Sequence, residues 1–407
     1  MRRLVVASAI LATLLAMPLG LTAATPAPAS PPSDPDRATS ALRFLVARQM
    51  VDGSLDHSVG ETADFVIGAA AAGYDPSTLK DCSLTATALG YLANASDAAA
   101  DDAAKTGKTV LAVVAAGGDP TAFAGRDLLA RLGALYHASN GAYGDGSTFS
   151  QAFAVLGVTA AGRPVPAAAI AELKSLADPD GSWSYGKAPV PAGQGDTNST
   201  AVALMALDAA GDHSADTAAL AYLKSQQLPD GGFPYQLVSS FGPAVSDPDS
   251  DALVLQAVVA AGRDPGGSDW MHGAGSVLTN LASTQGADGG FAYPGKPADA
   301  FTTSQVSAAL ARAPYAGAVH WTAGRSLPAI GCAGSFPWAA ASPSAAASPS
   351  AATTETPTPA ASTPEPVASA PSGGSNVPSG LLIAAAAALG LIVLAGGGWA
   401  FMRRGKP

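Results

Sequence analysis

One short motif, two alanines followed by a glycine, recurs along the middle of this 407-residue chain and constrains its fold more than any other feature. Successive motif glycines lie 44, 45, 49 and 51 residues apart, at Gly73, Gly117, Gly162, Gly211 and Gly262. Each ends a run of apolar residues, and Asp-Pro closely follows three of the five, which is the expected stop signal of a helix. Such a period indicates an array of helical hairpins, none of which buries its apolar face alone.

Two types of helix alternate in this pattern. One type is rich in Ala and apolar on nearly all sides, as in residues 201–207 and 253–259, which predicts buried inner helices. The other type is more polar, which predicts outer helices over residues 41–49, 128–137, 167–176, 217–226 and 275–283. Six outer–inner pairs fit between residues 37 and 317. The sequence therefore predicts an all-α fold, an α6/α6 toroid of six helical hairpins.

A repeated loop joins each outer helix to the next inner helix. It reads Gln-x-x-Asp-Gly-Gly-Phe at 227–233 and 285–291, with related copies at 49–55 and 180–183 and a weaker copy at 140–143. Asp-Gly and Asn-Gly supply the positive φ of a tight turn. We expect the aromatic residue of each loop to pack back against its outer helix. The second pair, roughly residues 76–117, lacks this loop.

These loops resemble the repeats of the prenyltransferase/squalene-cyclase superfamily. Six such repeats in a secreted chain also resemble the toroid domain of the transcobalamin and intrinsic-factor family. That family holds its ligand between the toroid and a small β-rich C-terminal domain, whereas this chain passes from Pro337 into a linker. The resemblance therefore implies a toroid and not a cobalamin carrier, because one fold hosts many chemistries.

The N-terminal end has the composition of a targeting segment. Residues 1–24 begin with Arg2 and Arg3, continue with an uncharged apolar stretch and end with small residues, which predicts a signal peptide. An uncleaved N-terminal anchor is the alternative. Residues 25–36, rich in Pro, Ala and Ser, are predicted to form a disordered leader.

The C-terminal end has the composition of a stalk and an anchor. Residues 339–378 contain 33 Ala, Pro, Ser or Thr out of 40, which predicts a disordered linker. Residues 379–402 predict one transmembrane helix, and the basic tail 403–407 is expected to stay in the cytoplasm. The chain is therefore predicted to be a single-pass type I protein of the cell membrane with an extracellular toroid at 37–338. Wall anchoring by a sortase is the alternative, because residues 376–380 weakly match a sortase sorting signal.

Charge and cysteine content restrict the partners. The 31 acidic and 21 basic residues give a net charge of −10, which argues against a nucleic-acid partner. We predict no cofactor, since no Gly-rich phosphate loop follows a strand. Cys82 and Cys332 are the two cysteines of the chain and are predicted to form a disulfide that locks the ring, because the first and sixth hairpins of a closed ring are neighbours. Two free thiols are the alternative.

The strongest candidate for chemistry is the cluster Asp247, Asp249 and Asp251 at the start of the fifth inner helix. It resembles the Asp-x-Asp-Asp-Thr-Ala motif of class II terpenoid cyclases, in which the middle Asp protonates an alkene. The resemblance places Asp249 at the acid, although Ser250 stands where the motif has its next Asp. Helix capping and metal ligation are the alternatives, and capping predicts that Asp247 or Asp249 accepts backbone N–H groups.

Further acidic residues precede or begin other inner helices, and with the cluster they are expected to ring one acidic mouth of the toroid that favours a cation: Glu61, Asp145, Asp196 and Asp299. The sequence therefore predicts a surface-anchored toroid that binds an unidentified small molecule or surface component without catalysis. The alternative is an extracytoplasmic enzyme, terpenoid-cyclase-like or polysaccharide-degrading, that uses Asp247, Asp249 and Asp251.

Overall fold

The computed structural model describes residues 34–81, 83–238, 243–316, 321 and 323–327. The predicted signal peptide, linker, transmembrane helix and tail lie outside the described residues, as do Cys82 and Cys332. Among the helices that the structure describes, none is both long enough and apolar enough to cross a bilayer.

The described residues are mostly helical. The only strands of two or more residues among them, β1 (Tyr136–His137) and β2 (Ala142–Tyr143), form a short hairpin around the Asn-Gly turn. The helices are α1 (Asp34–Val46), α2 (Val59–Ala71), α3 (Ala88–Ala95), α4 (Ala103–Ala115), α5 (Leu128–Ala134), α6 (Thr148–Ala160), α7 (Ala167–Ser175), α8 (Thr197–Ala209), α9 (Asp216–Ser225), α10 (Pro248–Ala260), α11 (Val277–Thr284) and α12 (Ala300–Leu310).

The even-numbered helices form a closed inner ring. Each packs against the next even-numbered helix, and α12 packs against α2. Small residues allow this close approach: a Cβ on Gly107 of α4 would lie 2.2 Å from the Phe153 carbonyl oxygen of α6. The predicted toroid of six inner and six outer helices is confirmed.

The outer helices pack differently from the predicted outer–inner pairs. Each of α3, α5, α7, α9 and α11 packs chiefly on the inner helix that precedes it in the chain, and α1 covers α12. One physical reason is visible at α8, where residues 210–215 lead directly to α9, while the much longer segment 226–247 separates α9 from α10. The first helix therefore completes the sixth hairpin and closes the ring.

α1 also begins earlier than expected. Its first residue, Asp34, lies inside the segment 25–36 that the sequence predicts as a disordered leader. The reason is local: Pro35 has the φ of a first helical turn, and the Thr39 hydroxyl donates to its carbonyl oxygen at 2.9 Å. The predicted leader is therefore wrong for residues 34–36.

The repeated loops hold neighbouring hairpins together. Gln227 Nε2 donates to the carbonyl oxygens of Gly231 (2.9 Å) and Trp270 (2.8 Å), and so connects its own loop to the segment before α11. Gln285 Nε2 makes the same pair of bonds to Gly289 and Arg37, both at 3.0 Å. Because Arg37 belongs to α1, the last copy of the loop is part of the ring closure.

The loop aromatics pack as the sequence predicts. Trp183, Phe233 and Phe291 are at most 1% exposed. The Trp183 indole Nε1 donates to the carbonyl oxygen of Leu173 in the outer helix α7 at 2.8 Å. The loop at 180–183 therefore anchors its outer helix.

Candidate functional site at the mouth of the ring

All six inner helices are preceded by a capping residue whose side chain accepts a hydrogen bond from the backbone N–H three residues later. The six capping residues are Ser58, Asp102, Ser147, Asp196, Asp247 and Asp299. Asp247 Oδ1 accepts from Ser250 N at 2.9 Å, so the capping prediction is confirmed for this residue. The shared cap aligns the six helices and allows their equivalent positions to be compared.

Asp251, four residues after its cap, holds the preceding loop. It accepts from the Phe233 backbone N–H at 2.6 Å. The equivalent residues Thr200 and Thr303 accept from the loop residues Trp183 and Phe291, both at 2.9 Å. Thr62 and Gln151 do the same for Leu55 and Tyr143. Asp251 therefore occupies a structural position of the repeat, and sequence analysis did not find this role.

Asp249, two residues after its cap, points to a different side of α10. The equivalent residues form one ring at the mouth: Gly60, Ala104, Phe149, Asn198 and Phe301, all at least partly exposed. Asp249 itself is only 7% exposed. Its Oδ2 accepts from the Thr302 hydroxyl at 3.3 Å, and its Oδ1 has no hydrogen-bond partner. Asp251 Oδ2 also lacks a hydrogen-bond partner, but Asp251 is fully buried, whereas Asp249 belongs to the ring of partly exposed positions at the mouth.

The surroundings of Asp249 favour its neutral form. Burial raises its pKa well above the ordinary value, and the carboxyls of Asp247, Asp299 and Asp64 add to the shift. Burial likewise raises the pKa of Glu61 to about 8, with Asp56 the next cause. The mouth therefore carries less negative charge than its acidic residues indicate, and a protonated Asp249 is a hydrogen-bond donor.

The floor of the site lies one turn deeper. Lys108 of α4 forms a buried ion pair with Asp64 of α2, with Nζ 2.5 Å from Oδ2. The Lys108 ammonium also lies 5.0 Å from the centre of the Phe153 ring in α6. Sequence analysis missed Lys108 and Asp64. Each lies six positions after the cap of its inner helix, and this shared position is the signal that could have found them.

Tyr315, beyond α12 and outside the repeats, completes this floor. Its hydroxyl donates to Asp64 Oδ1 at 3.0 Å, and its ring meets that of Phe153 edge-on at 5.6 Å between centroids. The Lys108 ammonium lies 5.8 Å from the same ring. A side chain that contacts α2, α4 and α6 at once lies inside the ring, so Tyr315 plugs the lumen below the mouth.

Two tyrosines form an aromatic rim. Tyr185 and Tyr293 each follow a buried loop aromatic by two residues and are 38% and 46% exposed. The Tyr185 ring lies 5.5 Å from that of Phe149. Burial raises the pKa of Tyr293, and the charges of Asp247 and Asp249 add to the shift.

The other predicted acidic residues have structural partners. Asp196 and Asp299 are caps, whereas Asp145 accepts from the Ser147 and Ser150 hydroxyls and pairs with Lys187 at 3.2 Å. Among the described residues, the one group of three side chains whose ligand atoms lie within 4.8 Å of one another is Asp208, His213 and Asp216. Asp247, Asp249 and Asp251 thus do not converge on a common metal position.

No family model and no curated protein matches this chain. Solved structures with similarity to it include the type II terpene cyclase MstE from Scytonema, with a TM-score of 0.46 and 15% identity over 68% of this chain and 97% of that one. An unsaturated glucuronyl hydrolase from Bacillus sp. GL1 has a TM-score of 0.46 and 11% identity over 68% and 95%. The ent-copalyl diphosphate synthase from Streptomyces platensis has a TM-score of 0.42 and 19% identity over 62% and 49%. These similar structures are toroid-fold enzymes, and the predicted resemblance to transcobalamin is not shown.

Proposed function

We propose that the mouth of the toroid binds a small organic molecule, with Asp249 as its principal polar contact. The observation that supports this proposal is the unpaired Oδ1 of a 7%-exposed carboxyl in a ring of otherwise accessible side chains. A buried polar atom without a partner is unfavourable in the free protein, and a ligand removes that penalty.

The chemistry of the mouth restricts the ligand class. A neutral Asp249 donates a hydrogen bond, so the ligand carries an acceptor. Phe149, Phe301 and Tyr293 offer flat aromatic surface, and the floor pairs Lys108 with Asp64, so that no net charge is left there. An uncharged molecule with an apolar face and polar edges, such as a sugar ring or a heterocycle, fits better than the cation that the acidic residues first indicate.

Native mass spectrometry of the purified protein tests the proposal. We expect a co-purifying molecule on the wild type that is lost in Asp249→Ala. Asp251→Thr is the matched control, because it changes a neighbouring aspartate to the residue that other repeats use, and it should keep the ligand. Retention of the ligand in Asp249→Ala would remove the proposed site.

A second candidate function is general acid catalysis by Asp249. The observation that favours it is the raised pKa of this carboxyl, which burial shifts toward the protonated form that a general acid needs. A glycosidic oxygen and an alkene are both acceptors for this proton, and both reactions develop positive charge on the substrate. The Lys108–Asp64 ion pair leaves the floor without net charge and therefore favours neither reaction. Asp249→Asn distinguishes an enzyme from a binding module. If the protein is an enzyme, the wild type converts the bound molecule, whereas Asp249→Asn binds it equally well and does not convert it.

We further propose that the toroid is extracellular, held by the stalk 339–378 and the span 379–402, with a Cys82–Cys332 disulfide. Described residues that precede each cysteine by seven or eight positions support the pairing. Gly324 N donates to Asp75 Oδ2, and Asp75 N donates to the Arg325 carbonyl oxygen, both at 2.8 Å. The chain beyond the sixth hairpin thus returns to residue 75. Protease shaving of intact cells tests the location, and non-reducing peptide mapping tests the disulfide.

A further inference from the structure

A second cluster of ionisable side chains lies far from the mouth, at the turn between α8 and α9. His213 Nδ1 lies 2.8 Å from Asp208 Oδ1 and 3.4 Å from Asp216 Oδ2. One ligand atom from each of the three residues lies within 4.8 Å of the other two. The cluster belongs to one end of the ring where an inner helix stops, and neither function proposed above uses it.

Asp208 is the unusual member of the cluster. Three residues before the motif glycine, the four other inner helices that end in this motif carry Ala70, Val114, Thr159 and Val259. The Asp208 side chain is only 3% exposed, and its Oδ2 has no hydrogen-bond partner. Asp216 Oδ1 is also buried without a partner. Two buried carboxyl oxygens without donors are unfavourable in the free protein, and either a cation or a proton shared between the two carboxyls removes that penalty.

We propose that Asp208, His213 and Asp216 bind one divalent transition-metal ion of the zinc type. Tetrahedral bonds of about 2.1 Å place neighbouring ligand atoms ~3.4 Å apart. The His213–Asp216 separation of 3.4 Å already has this length, and the Asp208–His213 separation of 2.8 Å widens when the metal replaces the shared proton. One imidazole and two carboxylates suit this class of metal and balance its charge.

The site keeps one side open. His213 is 64% exposed, and it lines an open depression of about 600 Å³ together with Lys174 and Asp212. A water molecule or a group of another molecule can therefore reach the His213 imidazole from this depression.

Isothermal titration of tag-free, chelator-treated protein with Zn²⁺ tests this site, with Co²⁺ absorption as a second readout of tetrahedral coordination. We expect saturable binding of one ion per chain and at least a tenfold weaker affinity in His213→Ala and in Asp208→Asn. Asp212→Asn is the matched control, since Asp212 lies in the same turn but pairs with Lys174 at 2.9 Å, and its affinity should stay within twofold of the wild type.

Because His213 is exposed, His213→Ala should fold as the wild type does, which circular dichroism without metal verifies. Absence of saturable binding would overturn the proposal. Equal affinity of the wild type and His213→Ala would also overturn it, since the ion would then bind elsewhere.

Discussion

The Tyr315 hydroxyl donates a hydrogen bond to Asp64 Oδ1 at 3.0 Å, although 251 residues separate the two along the chain. Asp64 lies in the first inner helix, whereas Tyr315 follows the last, and these two helices are neighbours, so this bond lies at the closure of the ring. It also fixes the carboxylate that pairs with Lys108. The floor of the proposed binding site and the closure of the ring are therefore parts of one structure.

Tyr315→Phe should lower the free energy of unfolding by about 1–3 kcal/mol, because it leaves a buried carboxylate oxygen without its donor. Urea denaturation measures this change. Tyr185→Phe is the control, since the Tyr185 side chain is 38% exposed at the rim, and it should cost less than ~0.5 kcal/mol. Equal stability of the Tyr315→Phe variant and the wild type would contradict the described floor.

Two substitutions of Asp251 distinguish the hydrogen bond that this residue accepts from the effect of its carboxyl group. Asp251→Thr installs the side chain that accepts the loop amide in three other repeats, and it removes a buried carboxyl whose Oδ2 has no partner. We expect unchanged or increased stability. Asp251→Ala should cost about 1–3 kcal/mol, because the Phe233 amide then loses its acceptor. Thermal unfolding of both variants measures the difference, and equal losses would argue against the repeat position.

Sequence periodicity predicts the ring, the loops and the caps because these features recur in each repeat. The sequence also distinguishes Asp249 from Asp251, because two residues turn a helix by about 200° and the two side chains therefore leave α10 on opposite sides. This distinction can be made only after the capping residues of the six inner helices have been aligned. Tyr315 could not be placed, since it lies outside the repeats. The packing of α1 on α12 could not be predicted either. The closest ends of the two helices, Val46 and Ala300, are 254 residues apart in the sequence, and only ring closure brings them together.

Gly289 tests the ring closure directly. Its φ is +89°, and a Cβ there would lie 2.4 Å from the Ser40 carbonyl oxygen of α1. Gly211 is the matched control, because its φ is +80° and a Cβ there would meet nothing within 4 Å. Gly211→Ala should cost about 1 kcal/mol for the backbone conformation alone, and Gly289→Ala should cost ~2 kcal/mol more. Equal costs in chemical denaturation would contradict the contact between this loop and α1.

Glu61 gives the stability a defined pH dependence. Burial raises its pKa from 4.5 to about 8, so between these values the unfolded chain loses a proton that the folded protein keeps. The folded state therefore loses relative stability as the pH rises through this window, and below it the effect is absent. Glu61→Gln should match the wild type near pH 4 and exceed its free energy of unfolding by about 2 kcal/mol at pH 8. The same difference in free energy of unfolding between Glu61→Gln and the wild type at pH 4 and at pH 8 would contradict the assigned burial of Glu61.

Ligand-observed NMR with a library of small uncharged molecules tests the proposed mouth most directly. The account predicts hits on the wild type and on Asp251→Thr that disappear with Asp249→Ala and weaken at least tenfold with Phe149→Ala. Two results would contradict the assignment of the mouth as the functional site. One is that every hit binds the wild type and the three variants equally, and the other is that every molecule bound by the wild type is also bound by Asp249→Ala.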